Sequence, residues 1–256
     1  MTILDSASVR SRLNTKTLGR KIVSVEVTSS TMEDSQREAA AGAEEGLVIV
    51  AEEQRGGHGR MGRPWRSPPG NLYLSVVFRP SEWELRRLGM AACLAVAEAI
   101  QDAAPLSPAL KWPNDVLINK RKVAGLIIEV AWRGQQLDHA VLGIGINVAL
   151  NPDDYAEISG VATSVNREAG MVVSREDLLL RLLERLDTRY DALKSGQSPL
   201  HEWSARLDTL GRWVKVTDAG EPIEGQAIEV DENGGLVLAL ADGSLRVVTA
   251  GQIGTD

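Results

Sequence analysis

A chain of 256 residues, 43% hydrophobic and 25% charged, has an ordinary globular composition and the length for one large domain plus a small one. Its net charge of −7 argues against a surface built for nucleic acid over the whole protein. A single cysteine (Cys93), three scattered histidines (His58, His139, His201), no signal-peptide core and no apolar run of membrane-spanning length exclude a disulfide scaffold, a structural zinc site and a membrane partner, and predict a soluble cytoplasmic protein.

In chain order, a short helix is expected around residues 8–13 and a strand at 22–27, where apolar and polar residues alternate. In "SSTMEDSQREAAAGA", Ser30 or Thr31 is placed to cap a helix, with Glu33 or Asp34 as the capping-box partner. Strands follow at 47–52 and 71–79, separated by "QRGGHGRMGRPW" at 54–65. Ser81 and Glu84 form another capping box and open a long helix that stops before Pro105. Strands are expected at 110–112, 116–118, 123–132 and 138–148, the second and third joined by "NKRK". Residues 149–173 have little periodicity and predict a long surface loop of the kind that serves as a lid. Ser174 and Asp177 cap an apolar helix that ends at Gly196, and a shorter helix spans 200–210. From Gly211 the chain turns to short strands separated by Gly, Pro, Asn and Asp, predicting a small β-barrel that leans on the larger domain. The expected domains are 1–210 and 211–256.

The window 54–81 contains no Asp or Glu but carries Arg55, Arg60, Arg63, Arg66 and Arg79, a local positive region suited to a small anion. Within it, residues 57–62 match G-x-G-x-x-G. A dinucleotide-binding fold needs a helix opening at the third glycine, and Pro64, Pro68 and Pro69 forbid one. The Gly-Lys-Ser/Thr of a Walker A loop is missing, as are the later HRD and DFG of a kinase. A strand–loop–strand is left. It is either a solvated hairpin whose glycines only make turns, or a nest of N–H groups flanked by the guanidinium forks of Arg60 and Arg63 and the face of Trp65.

In "KWPNDVLINKRKVAGLIIEV" (111–130), Lys111 ends a strand, Pro113-Asn114-Asp115 makes a turn, and a hairpin returns through Lys122 to Gly125. Each has a plain reading alone: a common turn, a solvated lysine, a glycine relieving crowding. Gly143 and Gly145 of "GIGINV" likewise weaken a strand unless something must approach its backbone. Taken together, the N–H loop, the arginines, a lysine, a carboxylate and two glycine-opened strands suit a carboxylate and an α-phosphate held side by side. Joining those anions calls for positive charge, and a departing pyrophosphate calls for a metal. The chemistry expected is formation of an acyl-adenylate.

"STM" before a helix, "QRGGHGRMGRPW", "NLYLSV", "KWPNDVLINKRKVAGLIIE" and "GIGINV", in this order and spacing, resemble the catalytic domain of biotin protein ligases. The β-rich end resembles their small C-terminal domain, and the match covers residues 20–256. The resemblance implies an α+β fold with a mixed β-sheet flanked by helices, related to class II aminoacyl-tRNA synthetases. It implies that biotin and ATP, with Mg²⁺, give biotinyl-5′-adenylate, and that biotin then passes to a lysine of a biotin carboxyl carrier protein. By the same resemblance Ser30, Thr31, Gln54, Gly57, Gly125, Ile127 and Gly143 would line the biotin site. Arg60 would lie against both biotin and phosphate, and Lys122 would contact the biotin carboxylate and the α-phosphate as chief charge stabiliser. His58, Arg63, Trp65, Lys111, Asn114, Gly145 and Asn147 would border the nucleotide. Asp115 would orient the metal or the acceptor lysine.

Two positions depart from the family pattern: His58 stands where arginine is more common, and Met32 where asparagine is common. A histidine with an ordinary pKa of about 6.5 is largely neutral at pH 7, which predicts weaker retention of the adenylate than arginine would give. About 21 residues precede the first strand, too few for the helix-turn-helix that some relatives carry, so a monofunctional enzyme with no nucleic-acid partner is expected. Lys122 and Arg60 argue against a non-catalytic binding protein. The arginine-rich loop and the C-terminal segment favour biotin over lipoate, the rival on the same fold. A free edge beside 143–148 would let two copies pair as a homodimer. The glycine loop is expected to be mobile until biotin arrives.

Overall fold

Alternating patterns in the sequence become strands and capped apolar runs become helices, with boundaries displaced by a few residues. The computed structural model describes residues 4–217 and 222–253. Asp5 caps α1 (Ser6–Arg12) by accepting from the amides of Ala7 and Ser8. Then come β1 (Ile22–Thr28), α2 (Thr31–Ala40), β2 (Val48–Gln54), β3 (Leu72–Phe78) and α3 (Glu82–Ala103). The middle of the chain supplies β4 (Ala109–Lys111), β5 (Asp115–Ile118), β6 (Arg121–Arg133) and β7 (Gln136–Ile146). After the short α4 (Val165–Ala169) follow α5 (Arg175–Lys194) and α6 (Leu200–Ala205).

The capping box of Ser81 and Glu84 is present at α3. At α2 the expected box does not form. The Ser30 hydroxyl accepts from the Met32 amide, while Asp34 turns back to accept from the Thr28 hydroxyl.

Strands β1 to β7 form a mixed sheet in the order β1-β2-β3-β7-β6-β5-β4. Only β1 and β2 pair in parallel, because α2 crosses between them. On one face the main core gathers Leu74, Val76 and Phe78 of β3 with Leu94 of α3 and Leu182 and Leu186 of α5. Cys93 lies in this core, and burial pushes its thiol pKa up to about 12. On the other face, Met32 and Ala39 of α2 form a smaller cluster with Ile49, Val77 and Val141. With both faces covered, β3 is buried along its whole length. Among the described residues no helix is long and apolar enough to cross a membrane.

Three expectations change. β7 is flanked by β3 and β6, so no free edge lies beside 143–148, and pairing of two copies through that strand is blocked; the edges are β1 and β4. The segment 149–173 is the expected surface loop, with a short helix, but it is tied down at several points. The amides of Val148, Ala149 and Leu150 all donate to Asn71 Oδ1 at 2.9–3.0 Å. Further on, the Lys122 amide donates to the Val161 carbonyl at 2.9 Å and the Thr163 amide to the Lys122 carbonyl at 2.8 Å. The third concerns the C-terminal strands β8 (Trp213–Thr217), β9 (Ile223–Val230), β10 (Leu236–Ala239), β11 (Leu245–Val248) and β12 (Gln252–Ile253). They form an antiparallel sheet in the order β11-β10-β9-β8-β12, not a closed barrel. Closure would need β11 to pair with β12. The two-residue β12 instead lies against the large sheet, where the Ile253 carbonyl accepts from the Lys111 ammonium at 3.3 Å.

Candidate active site

A cavity of about 370 Å³ opens over β6 and β7, within the usual range for a small-molecule site. It is walled by the N-terminus of α2, the glycine-rich loop, the β4–β5 turn and, from the small sheet, Gly251 and Ile253. Its floor is the glycine pattern. Gly125 and Gly145 face each other across β6 and β7, and Gly143 has Ile127 and Ser75 as its neighbours. A Cβ on Gly145 would stand 2.6 Å from the Trp65 indole nitrogen, and one on Gly125 2.9 Å from Lys122 Nζ. A Cβ on Gly143 would stand 2.6 Å from Met32 Sδ. Each strand glycine therefore admits a particular side chain against the backbone.

One end of the cavity is polar and uncharged. The Thr31 amide donates to Gln54 Oε1 at 2.9 Å, its hydroxyl lies 2.7 Å from Ser75 Oγ, and Gln54 Nε2 donates to Ser67 at 3.1 Å. The other end is charged. Lys122 Nζ is 2.6 Å from Asp115 Oδ1 and 5.1 Å from the centre of the Trp65 ring. Lys111, the β4 partner of Asp115, is half-buried, and burial lowers its pKa against the pull of Asp115. Arg60 and Arg63 also line this space. The Trp65 N–H is buried without a hydrogen-bond partner among the described residues.

Most residues singled out in the sequence line the cavity, and two do not. Gly57 sits behind the loop, where a Cβ would come within 2.7 Å of Ser67 Oγ, so it lets the loop close on itself. Asn147 is buried behind the sheet end and donates to the Thr163 carbonyl, tying down the segment beside Lys122. Asn114 lines the cavity, but its amide group donates to the Leu126 carbonyl and holds the turn to β6.

His58 does not keep the ordinary histidine pKa that was expected. Its Nε2 is 3.2 Å from Glu129 Oε1, and that hydrogen bond raises its pKa against a smaller opposing effect of burial. Glu157 and the C-terminal Gly251 and Ile253 were not legible as parts of the site. No local motif marks them, because each arrives by strand register or by a long-range contact. Glu157 pairs with Arg66, and Arg66 also lies over the Tyr155 ring, linking the glycine loop to the 149–173 segment.

Among the described residues no group of three His, Cys, Asp or Glu is arranged to hold a metal. Of the described carboxylates that line the cavity, Asp115 pairs with Lys122 and Glu157 with Arg66. That set fits a Mg²⁺ carried mainly by phosphate oxygens and water, the habit of that ion. The arrangement as a whole can take a ligand with a neutral polar head, an apolar body and an anionic tail, and can bring a second anion against that tail.

Residues 19–147 match the Biotin/lipoate A/B protein ligase family, and residues 209–253 match the Biotin protein ligase C terminal domain. The chain is 34% identical to the biotin–[acetyl-CoA-carboxylase] ligase of Mycobacterium tuberculosis, over 98% of this chain and 95% of that protein. It is 30% identical to the bifunctional ligase/repressor BirA of Bacillus subtilis, over 96% of this chain and 78% of that one. The fold is similar to that of the biotin protein ligase from Aquifex aeolicus in complex with biotin and ATP, with a TM-score of 0.78 at 29% identity, covering 92% and 98% of the two chains.

Proposed function

This chain belongs to the biotin/lipoate A/B protein ligase family, and from that premise we propose that it activates biotin with ATP as biotinyl-5′-AMP and passes the biotinyl group to a lysine of a biotin carboxyl carrier protein. The observation that carries the reading is the polarity of the cavity, uncharged around Thr31 and Gln54 and cationic around Lys122. Biotin has the same polarity: a ureido head, an apolar body and a carboxylate. The match of the small sheet to the biotin ligase C-terminal domain favours biotin over lipoate.

In the first half-reaction a carboxylate oxygen of biotin attacks the α-phosphorus and pyrophosphate leaves. Two anions must approach, and the ammonium of Lys122, with Arg60 also lining the cavity, offsets their repulsion in a site partly closed to water. Trp65 would offer its face to the adenylate, and Lys111, Arg63 and Asn114 would border the nucleotide. Mg²⁺, when bound, neutralises the leaving pyrophosphate. Asp115 would be its protein ligand or, in the second half-reaction, would orient the acceptor amine. That amine attacks the acyl carbon of the mixed anhydride, the C–O bond to phosphate breaks, and AMP leaves.

Use of ATP fits a cytoplasmic enzyme. Repression of transcription, a property in the name of the Bacillus subtilis relative, finds no supporting surface among the described residues. The chain is acidic, and α1 is held to α5 by the Arg12–Asp177 ion pair. The test is incubation with biotin, ATP, Mg²⁺ and the apo form of a biotin carboxyl carrier domain. Mass spectrometry should find one biotinyl group on one lysine. An unmodified carrier domain, with ATP turned over, would overturn the transfer step.

A further inference from the structure

Met32 is the second residue of α2, set there by the bond from its amide to the Ser30 cap. Its side chain belongs to the apolar cluster beneath α2 and is 4% exposed, yet it also lines the cavity. Its Sδ and Cγ lie 2.6 and 3.0 Å from the point where a Cβ on Gly143 would stand, and Ile127 Cγ2 lies 3.1 Å from that point. The strand neighbour of Gly143 on the other side is Ser75, whose hydroxyl joins the Thr31 and Gln54 network. The head-group end of the cavity thus has a polar edge, Thr31 and Gln54, and an apolar face, Met32 and Ile127. A bicyclic head with one hydrogen-bonding ring and one sulfur-containing ring matches those two sides separately.

We propose that Met32, seated on Gly143, is a specificity-determining residue: it is the wall against which the sulfur ring of biotin packs, and it sets the ligase's preference for the bicyclic acid. The inference rests on the biotin reading above. Desthiobiotin is the direct probe, because it keeps the ureido ring and the acid chain and lacks the sulfur ring. Lost packing against one apolar wall is worth about tenfold or more in discrimination. Met32→Ala should therefore bring the dissociation constants of biotin and desthiobiotin closer together by at least about fivefold.

A second variant reads the seat itself. In Gly143→Ala the new methyl must push the flexible thioether into the ligand's space, and biotin binding should weaken at least about tenfold. In the double variant Met32→Ala/Gly143→Ala, most of that loss should be recovered relative to Gly143→Ala. Calorimetric titration of the full chain, with thermal melts in parallel, separates the outcomes. A merely structural role for Met32 would lower the melting temperature and leave the biotin-to-desthiobiotin ratio unchanged, which would overturn the proposal. A double variant that binds no better than Gly143→Ala would overturn the seat. Wild type that binds neither acid would instead bring down the biotin reading itself.

Discussion

Lys122 was legible as a lysine on a hairpin next to a Pro-Asn-Asp turn, and the structure adds what holds it: Asp115 at 2.6 Å and the Trp65 ring. His58 shows where residue-by-residue reading fails. Its partner, Glu129, is 71 positions away and comes alongside only because β6 runs under the glycine loop. The Glu129 hydrogen bond raises the His58 pKa, so the charged imidazole is favoured in the folded state. The stabilisation this gives is complete below the unfolded histidine value of about 6.5 and is lost as pH rises through the raised folded value. Both side chains are more than a quarter exposed, so the effect is screened and should stay below about 1 kcal/mol. Denaturation of wild type and His58→Gln should show a stability gap at pH 6 that shrinks toward pH 9. A gap that widens with pH would reverse the sign of this account. His58→Arg would keep its pair with Glu129 throughout that range. At about pH 8 it should release biotinyl-adenylate more slowly than wild type in a rapid-dilution assay, and equal or faster release would contradict the role given to charge at this position.

Helices and strands were the most legible level, because capping residues and period-two alternation are local signals. The glycines of "GIGINV" and of Gly125 also announced a close approach to the backbone. What approaches, Met32, Trp65 and Lys122, could not be read, since it depends on cross-strand register and on how the loop folds over. The 149–173 segment misled for a related reason. Its order comes from distant partners, Asn71, which accepts three successive amides at its start, and the Lys122 backbone further on, and not from any period of its own. Asn71→Ala would leave these amides, two of them in buried residues, without their acceptor. The expected cost is on the order of 3 kcal/mol. Urea denaturation should show that loss together with faster proteolysis within 149–173. A loss under about 0.5 kcal/mol would mean that other contacts order the segment.

At the scale of the whole molecule, the change in composition at Gly211 gave the small β-rich unit but neither its open edge nor its place at the cavity. Its apolar side chains join the main core, and hydrogen bonds fasten it, among them one from Arg87 to the Glu232 carbonyl. The buried Trp112 indole donates to the Gly234 carbonyl at 2.9 Å, and Lys111 donates to Ile253. Trp112→Phe keeps most of the bulk and removes the donor, so stability should fall by about 1 kcal/mol while unfolding stays a single transition. Two separate transitions in the variant would show that this bond couples the two sheets more strongly than its own strength suggests. Gly251 and Ile253 line the cavity together with residues of β6 and β7, so both sheets contribute to it.

On the proposed function, the charge of Lys122 is what lets this cavity join biotin to AMP. Exchange of labelled pyrophosphate into ATP, with Mg²⁺ and either biotin or lipoate, measures that half-reaction without any carrier protein. Wild type should exchange with biotin and not with lipoate, and Lys122→Ala should lose about a hundredfold or more of the rate while still melting cooperatively. Exchange driven by lipoate alone, or a Lys122→Ala variant as fast as wild type, would contradict the account.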